Sequence, residues 1–165
     1  MKNRVKVIDR NHKRFMTEID KLDKSYSKCG WPSGGEVSGA KRKGSGHSPL
    51  NDMSEIAEIM AVHEFGAPNK NIPERSTVRK SFDDYLDGLV KLRDRLYVKV
   101  IKGNITTEKA LGIMGEYMSG ALRKTIRNTY DPPNAEITID KKGSSHPLID
   151  TGQSIQSIQH IEVIK

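Results

Sequence analysis

A chain of 165 residues is the size of a single domain. Its 35% hydrophobic, 30% charged and 5% aromatic content is too polar for a thick core and too apolar for a wholly disordered chain; it fits a thin core with segments buried only on assembly. The formal charge of +7 lies entirely in the first quarter: residues 1–46 hold 12 Lys or Arg against 5 Asp or Glu, and the remaining residues carry 16 of each. Such a basic segment suits a polyanion, an acidic neighbouring subunit or simply a solvated face. The one cysteine, Cys29, excludes an intrachain disulfide and fits a reducing compartment. No apolar run reaches the roughly 20 residues needed to cross a bilayer, and the first residues lack a signal-peptide core. The expectation is a soluble protein made in the cytoplasm, with no membrane partner.

In chain order, Val5, Val7 and Asp9 alternate with Lys6 and Ile8 as a short strand, and Phe15, Met16, Ile19 and Leu22 recur at helical spacing up to about Lys24. Residues 31–49, from Trp31 to Pro49, hold five glycines, two prolines and the cluster Lys41, Arg42, Lys43, with almost nothing apolar to pack, and read as a long loop or arm. Met53, Ile56, Ala57, Met60 and Ala61 mark a helix that Asn51 or Ser54 can cap and Gly66 stops. After a turn between Pro68 and Pro73, the stripe Phe82, Leu86, Leu89, Leu92, Leu96 and Val100 predicts a helix of about five turns. Gly103 and Asn104 break it. Thr106 or Thr107 can cap a second long helix along Leu111, Met114, Met118, Leu122 and Ile126. Past Asp131, Pro132, Pro133 and Asn134, Ile137 and Ile139 alternate with polar residues as in a half-buried strand. A turn over residues 142–147, a helical turn after Gly152 and a strand at Ile161, Val163 and Ile164 complete the pattern. The expected fold is α+β: a small antiparallel sheet packed with two long amphipathic helices, plus a flexible basic N-terminal arm. The arm, with its strand and helix, spans residues 1–50 and the core residues 51–165, and one domain overall is expected.

Motifs for catalysis are incomplete. His63 and Glu64 open like a zinc-protease helix, but Ala67 stands where the second histidine belongs. Residues 39–45 have the glycine spacing of a phosphate-binding loop, with Ser45 in place of the lysine and no apolar strand before it. Asp83, Asp84 and Asp87 read as the solvated side of a helix, and the five histidines are scattered, so no catalytic, cofactor or metal residues are assigned.

Two segments carry a resemblance. Ala61-Val62-His63-Glu64-Phe65-Gly66 with Ile72-Pro73-Glu74-Arg75-Ser76-Thr77-Val78-Arg79, and later Pro147-Leu148-Ile149-Asp150-Thr151-Gly152-Gln153 with Ser157-Ile158, lie in the order of two hallmark motifs. They resemble the segments "A-x-x-x-E-F-G … I-P-x-R-x-x-x-R" and "P-L-x-D-T-G-x-L-x-x-S-I" of the small neck and tail-completion (virion morphogenesis) proteins of long-tailed bacteriophages. The likeness covers residues 57–163. It departs where Ala61 lies three rather than four residues before Glu64, where Ser76 and Thr77 replace a proline and an aromatic, and where Ser154 replaces a leucine. The first 50 residues lie outside it.

The motif residues suit backbone geometry. Phe65 and Gly66 would end a helix with a buried aromatic and a positive-φ glycine. Ile72 and Pro73 would hold the chain extended into the long helix, with Arg75 and Arg79 reaching carboxylates or carbonyls. Asp150 and Thr151 suit a turn or cap, relaxed by Gly152, and Leu148 leads into it. Both fold-building and direct interface roles are open to these residues. The resemblance implies a non-enzymatic subunit of a homo-oligomeric neck or tail-completion ring in the virion, contacting other neck, connector or tail proteins. Lys41, Arg42 and Lys43 would face DNA in the channel or, preferably, an acidic neighbour. The alternatives are a nonspecific nucleic-acid-binding protein and a phage-encoded hydrolase.

Overall fold

A computed structural model describes residues 10–32 and 53–165 of the chain. Both the strand expected at residues 5–9 and the Lys41, Arg42, Lys43 cluster lie outside the described residues. The architecture is α+β, as expected. Helix α1 (Arg10–Lys24) leads into strand β1 (Tyr26–Gly30); α2 (Met53–Phe65) and a 3-10 turn (Pro68–Lys70) lead into α3 (Val78–Ile101) and α4 (Thr107–Asn128). Then come α5 (Glu136–Lys142), α6 (Gln153–Gln156) and strand β2 (Gln159–Val163).

The two long helices run back along one another through a short connection, with Leu96 and Val100 of α3 packed on Ala110 of α4. Near the other end the rings of Tyr85 and Tyr117 meet edge to face, with centroids 6.4 Å apart. Helix α4 is central, because its opposite side carries the sheet. A β-carbon on Gly115 would come within 2.5 Å of Ser27 Oγ and 2.9 Å of the His160 ring, so only glycine lets the strands lie this close. The main core gathers Met53, Ile56 and Met60 of α2, Leu122 and Ile126 of α4, and Leu148, Ile155 and Ile158, with Trp31 and Ile149 against its rim.

Strand β1 has no counterpart among the expected elements. Its sequence, Tyr-Ser-Lys-Cys-Gly, offers no apolar alternation, and its order comes from pairing antiparallel with β2, from Tyr26 opposite Val163 to Gly30 opposite Gln159. The residues just past it are tied down too: Trp31, expected to open an unpacked arm, seats on the core and donates its indole N–H to the Ser154 carbonyl at 2.7 Å. Conversely, the strand expected at Ile137 and Ile139 is helix α5. Two isoleucines spaced by one residue fit either period, and Glu136 in the first turn with Lys141 and Lys142 in the last complement a helix dipole. Ile137 stands 64% exposed.

Helix α1 is tied down by Arg14, which donates to the Gly103 carbonyl at 3.1 Å, and by Glu18. Glu18 accepts the Thr107 amide and hydroxyl, each at 2.8 Å, at the first turn of α4. Thr106 is the cap residue there, accepting the Lys109 amide. The Thr107 amide bond is the main reason the Glu18 carboxyl lies below its ordinary value. Leu22 then packs against the Leu96 and Val100 cluster, whereas Met16 and Ile19 of the same helix stay exposed. Ile126 is fully buried where α2, α4 and the 148–158 segment meet. Ile126→Ala is therefore expected to cost about 2–5 kcal/mol, measured as a lowered urea midpoint at unchanged slope.

Candidate functional site

The first motif builds the junction between α2 and α3. Met53, Ile56, Met60 and Glu64 are the buried residues of α2; the last three, spaced by four, share one helix face. Glu64 therefore enters the interior as a carboxylate, only 5% exposed. It meets the open N-terminus of α3, accepting the amides of Thr77 (2.7 Å), Val78 (2.8 Å) and Arg79 (3.0 Å) and the Ser76 hydroxyl (3.0 Å). The Arg79 guanidinium closes the arrangement, with Nε 3.1 Å from Glu64 Oε1 and Nη2 donating to the Glu64 carbonyl and to Glu74. Thr77, the formal cap residue of α3, makes no capping bond of its own. Glu64 supplies from another helix what a cap side chain normally provides. Burial by itself would push the Glu64 carboxyl up; the Arg79 and Val78 amides and the Arg79 and Ser76 side chains more than offset this and hold it below its ordinary value. Bonding to Glu64 raises Arg79 in return.

Phe65 departs from expectation. It is 69% exposed rather than buried, because the core side of this turn is already taken by Met60 and Glu64 and the next residue is rotated about 100° away. Its ring instead lies 5.3 Å from the Arg79 guanidinium. Gly66 does adopt positive φ, at 71°, and a β-carbon there would sit 2.9 Å from the Glu74 nitrogen. Ala67 and Ile72 then pair across the 3-10 turn through reciprocal backbone bonds of 2.8 and 3.1 Å, which sets the direction in which Pro73 leaves.

Arg75 is buried, at 4% exposure, with no carboxylate among its hydrogen-bond partners. Its Nε and Nη2 donate to the carbonyls of Pro132 (2.7 Å) and Pro133 (3.0 Å), and its backbone amide donates to His63 at 2.6 Å. Nη1 lies 3.5 Å from His63 Nδ1. Burial first, and then the nearby charges of Arg75 and Lys142, hold His63 below its ordinary value and favour its neutral form. Lys142 donates to the carbonyls of His146 and Pro147, so the connections after α4 and after α5 are both fastened by cations.

The second motif builds the turn into α6. Leu148 and Ile155 fill the core beside Met60, and Gly152 takes φ 80° ahead of α6. Thr151 Oγ1 accepts the Gln153 amide at 3.4 Å. Asp150 Oδ1 is buried without a hydrogen-bond partner. Ser154, where the resembled motif has leucine, accepts the Trp31 indole on its carbonyl. The second motif thus enters through Leu148 the core that Met60, just before the first motif, also lines, with Arg75 tying the intervening connection to the first motif.

His63 and Glu64 do not converge on a common point: the carboxylate turns to α3 and the imidazole to Arg75. Among the described residues no group of three or more His, Cys, Asp or Glu is placed to hold a metal ion. Asp83, Asp84 and Asp87 are exposed, with Asp84 paired to Lys80. Sequence reasoning missed the parts played by Ser76, Lys142 and the Glu18–Thr107 contact. No family model, curated protein or solved structure matches the chain.

Glu64→Ala would leave the first amides of α3 without acceptors and the Arg79 charge with only Glu74 of its two carboxylate partners. The expected loss is about 3 kcal/mol, between that of a helix cap and that of a broken buried ion pair, read from chemical denaturation. The acid dependence follows in sign. With a lowered carboxyl, the Glu64 contribution is full above the ordinary carboxylate range and disappears as pH falls through its depressed folded value. The depressed His63 adds a milder loss beginning below about pH 6.5. Thermal melts between pH 8 and 5 should register that decline, and His63→Gln should flatten it.

Proposed function

We propose that this chain is a non-enzymatic subunit of a homo-oligomeric neck or tail-completion ring of a long-tailed bacteriophage, residing in the virion and contacting other neck, connector or tail proteins. The observation that carries the reading is the fate of the two motifs. Most of their polar groups are spent on fold geometry around one core, while sixteen large hydrophobic side chains stand exposed among the described residues. Scattered apolar residues are ordinary on a monomer, but Ile59, Val62 and Phe65 on α2 and Val78, Phe82 and Leu86 on α3 come in groups. A subunit that completes its burial on assembly has this surface. Among the described residues the sheet has two strands, each with an outer edge able to accept a strand from a neighbour.

The sequence charge of residues 1–46, with Lys41, Arg42 and Lys43, would face an acidic neighbouring ring or DNA in the channel. No helix among the described residues is long and apolar enough to cross a membrane. Electron microscopy of particles assembled without this protein tests the reading: unjoined heads and tails, or overlong tails, are expected, and normal infectious virions would overturn it. Salt-sensitive retention of DNA by the purified chain, abolished by reversing Lys41, Arg42 and Lys43, would favour a nucleic-acid-binding role instead.

A further inference from the structure

Helix α3 carries two apolar stripes. Leu92, Leu96 and Val100 belong to the inner one and pack in the cluster shared with α4. A second runs through Phe82, Leu86, Val90, Tyr97 and Ile101, within an arc of about 100° and turned roughly 90° from the first. Phe82 is 48%, Leu86 38% and Ile101 50% exposed, and Val90 and Tyr97 are half-buried. A helix apolar on two sides is ordinarily covered on both.

The charges along α3 specify what can cover it. After Lys80 the first half bears Asp83, Asp84 and Asp87, all exposed; the second half bears Lys91, Arg93, Arg95 and Lys99 against Asp94 alone. Beyond the first turn, where Arg79 and Lys80 already pair with Glu64, Glu74 and Asp84, the helix is acidic before Gly88 and basic after it. Another α3 laid alongside in the same direction would face like with like, whereas an antiparallel one faces acid with base on either side of Gly88.

We propose that α3 pairs antiparallel with α3 of a second copy of this chain, about a twofold axis level with Gly88. In that register Leu86 opposes the partner's Val90, Asp83 opposes the partner's Arg93, and each contact occurs twice. All four side chains lie on the second stripe or at its border. Among the described residues Arg93 is held only by its neighbour Asp94, in a pair whose side chains are 42% and 62% exposed, so little is lost on exchanging partners. Subunits next to each other in a ring of three or more are related by less than half a turn. The twofold contact is therefore distinct from a ring contact and does not rest on the ring reading.

Sedimentation velocity of the full chain across micromolar concentrations is the test, with circular dichroism verifying that each variant folds. The unaltered chain is expected to be a dimer, or an even-numbered oligomer, that weakens with salt. Asp83→Arg and Arg93→Asp should each weaken the association by at least about tenfold, since each sets like charges face to face. The double reversal, with both variants in one chain, should restore it. A monomer at all concentrations, single reversals without effect, or no recovery in the double variant would each overturn the proposal. A ring indifferent to both reversals would sink the α3 pairing and leave the ring subunit standing.

Discussion

The last turn of α2 is an unfavourable place for a carboxylate as far as its own helix dipole is concerned, and Glu64 is buried there all the same. What holds it is the first turn of α3, whose free amides and Arg79 guanidinium give a buried negative charge the donors it requires. Neither side is satisfied without the other, so the interaction fixes the position of α2 against α3 as well as stabilising both. The rest follows in sequence: α3 lies on α4, α4 carries the sheet, and the 148–158 segment closes the core that α2 opened.

The same device recurs at the other long helix. Glu18 of α1 reaches the N-terminus of α4 as Glu64 reaches that of α3. At α3 the acid stands in for a missing local cap and at α4 it adds to the Thr106 cap, so in both a distant part of the chain is fastened at the place where helix formation is least self-sufficient. A core as thin as this gains most from such bonds, because it has little apolar area with which to position its parts.

Much of this was legible beforehand, and the exceptions have physical causes. Helices α2, α3 and α4 announce themselves by long runs at a spacing of three and four, and Gly66, Gly103 and Thr106 mark their limits. Glu64 carried a signal as well: an acid in the final turn of a helix, followed at Arg75 and Arg79 by two cations, asks for a partner outside that helix. Strand β1 carried none, since nothing in Tyr-Ser-Lys-Cys-Gly is apolar on alternate positions and its order is borrowed from β2. For α5 the window was too short to separate a period of two from one of 3.6. Phe65 was misplaced because residue type suggested the interior, whereas its position one step past Glu64 on the helix decides the outcome.

The pairing of β1 with β2 also has a mechanical side. Tyr26, where the chain enters β1, lies opposite Val163, where it leaves β2, and the Lys165 amide donates to Ser25 Oγ at that same end. Tension drawn between the segment before β1 and the segment after β2 would act on one end of the ladder and open it bond by bond, as a zipper does. Tension applied across the face of α4 would instead load the whole packed interface at once. The molecule is thus stiff in one direction and yielding in another, with Ser25 and Lys165 at the point where it first gives way.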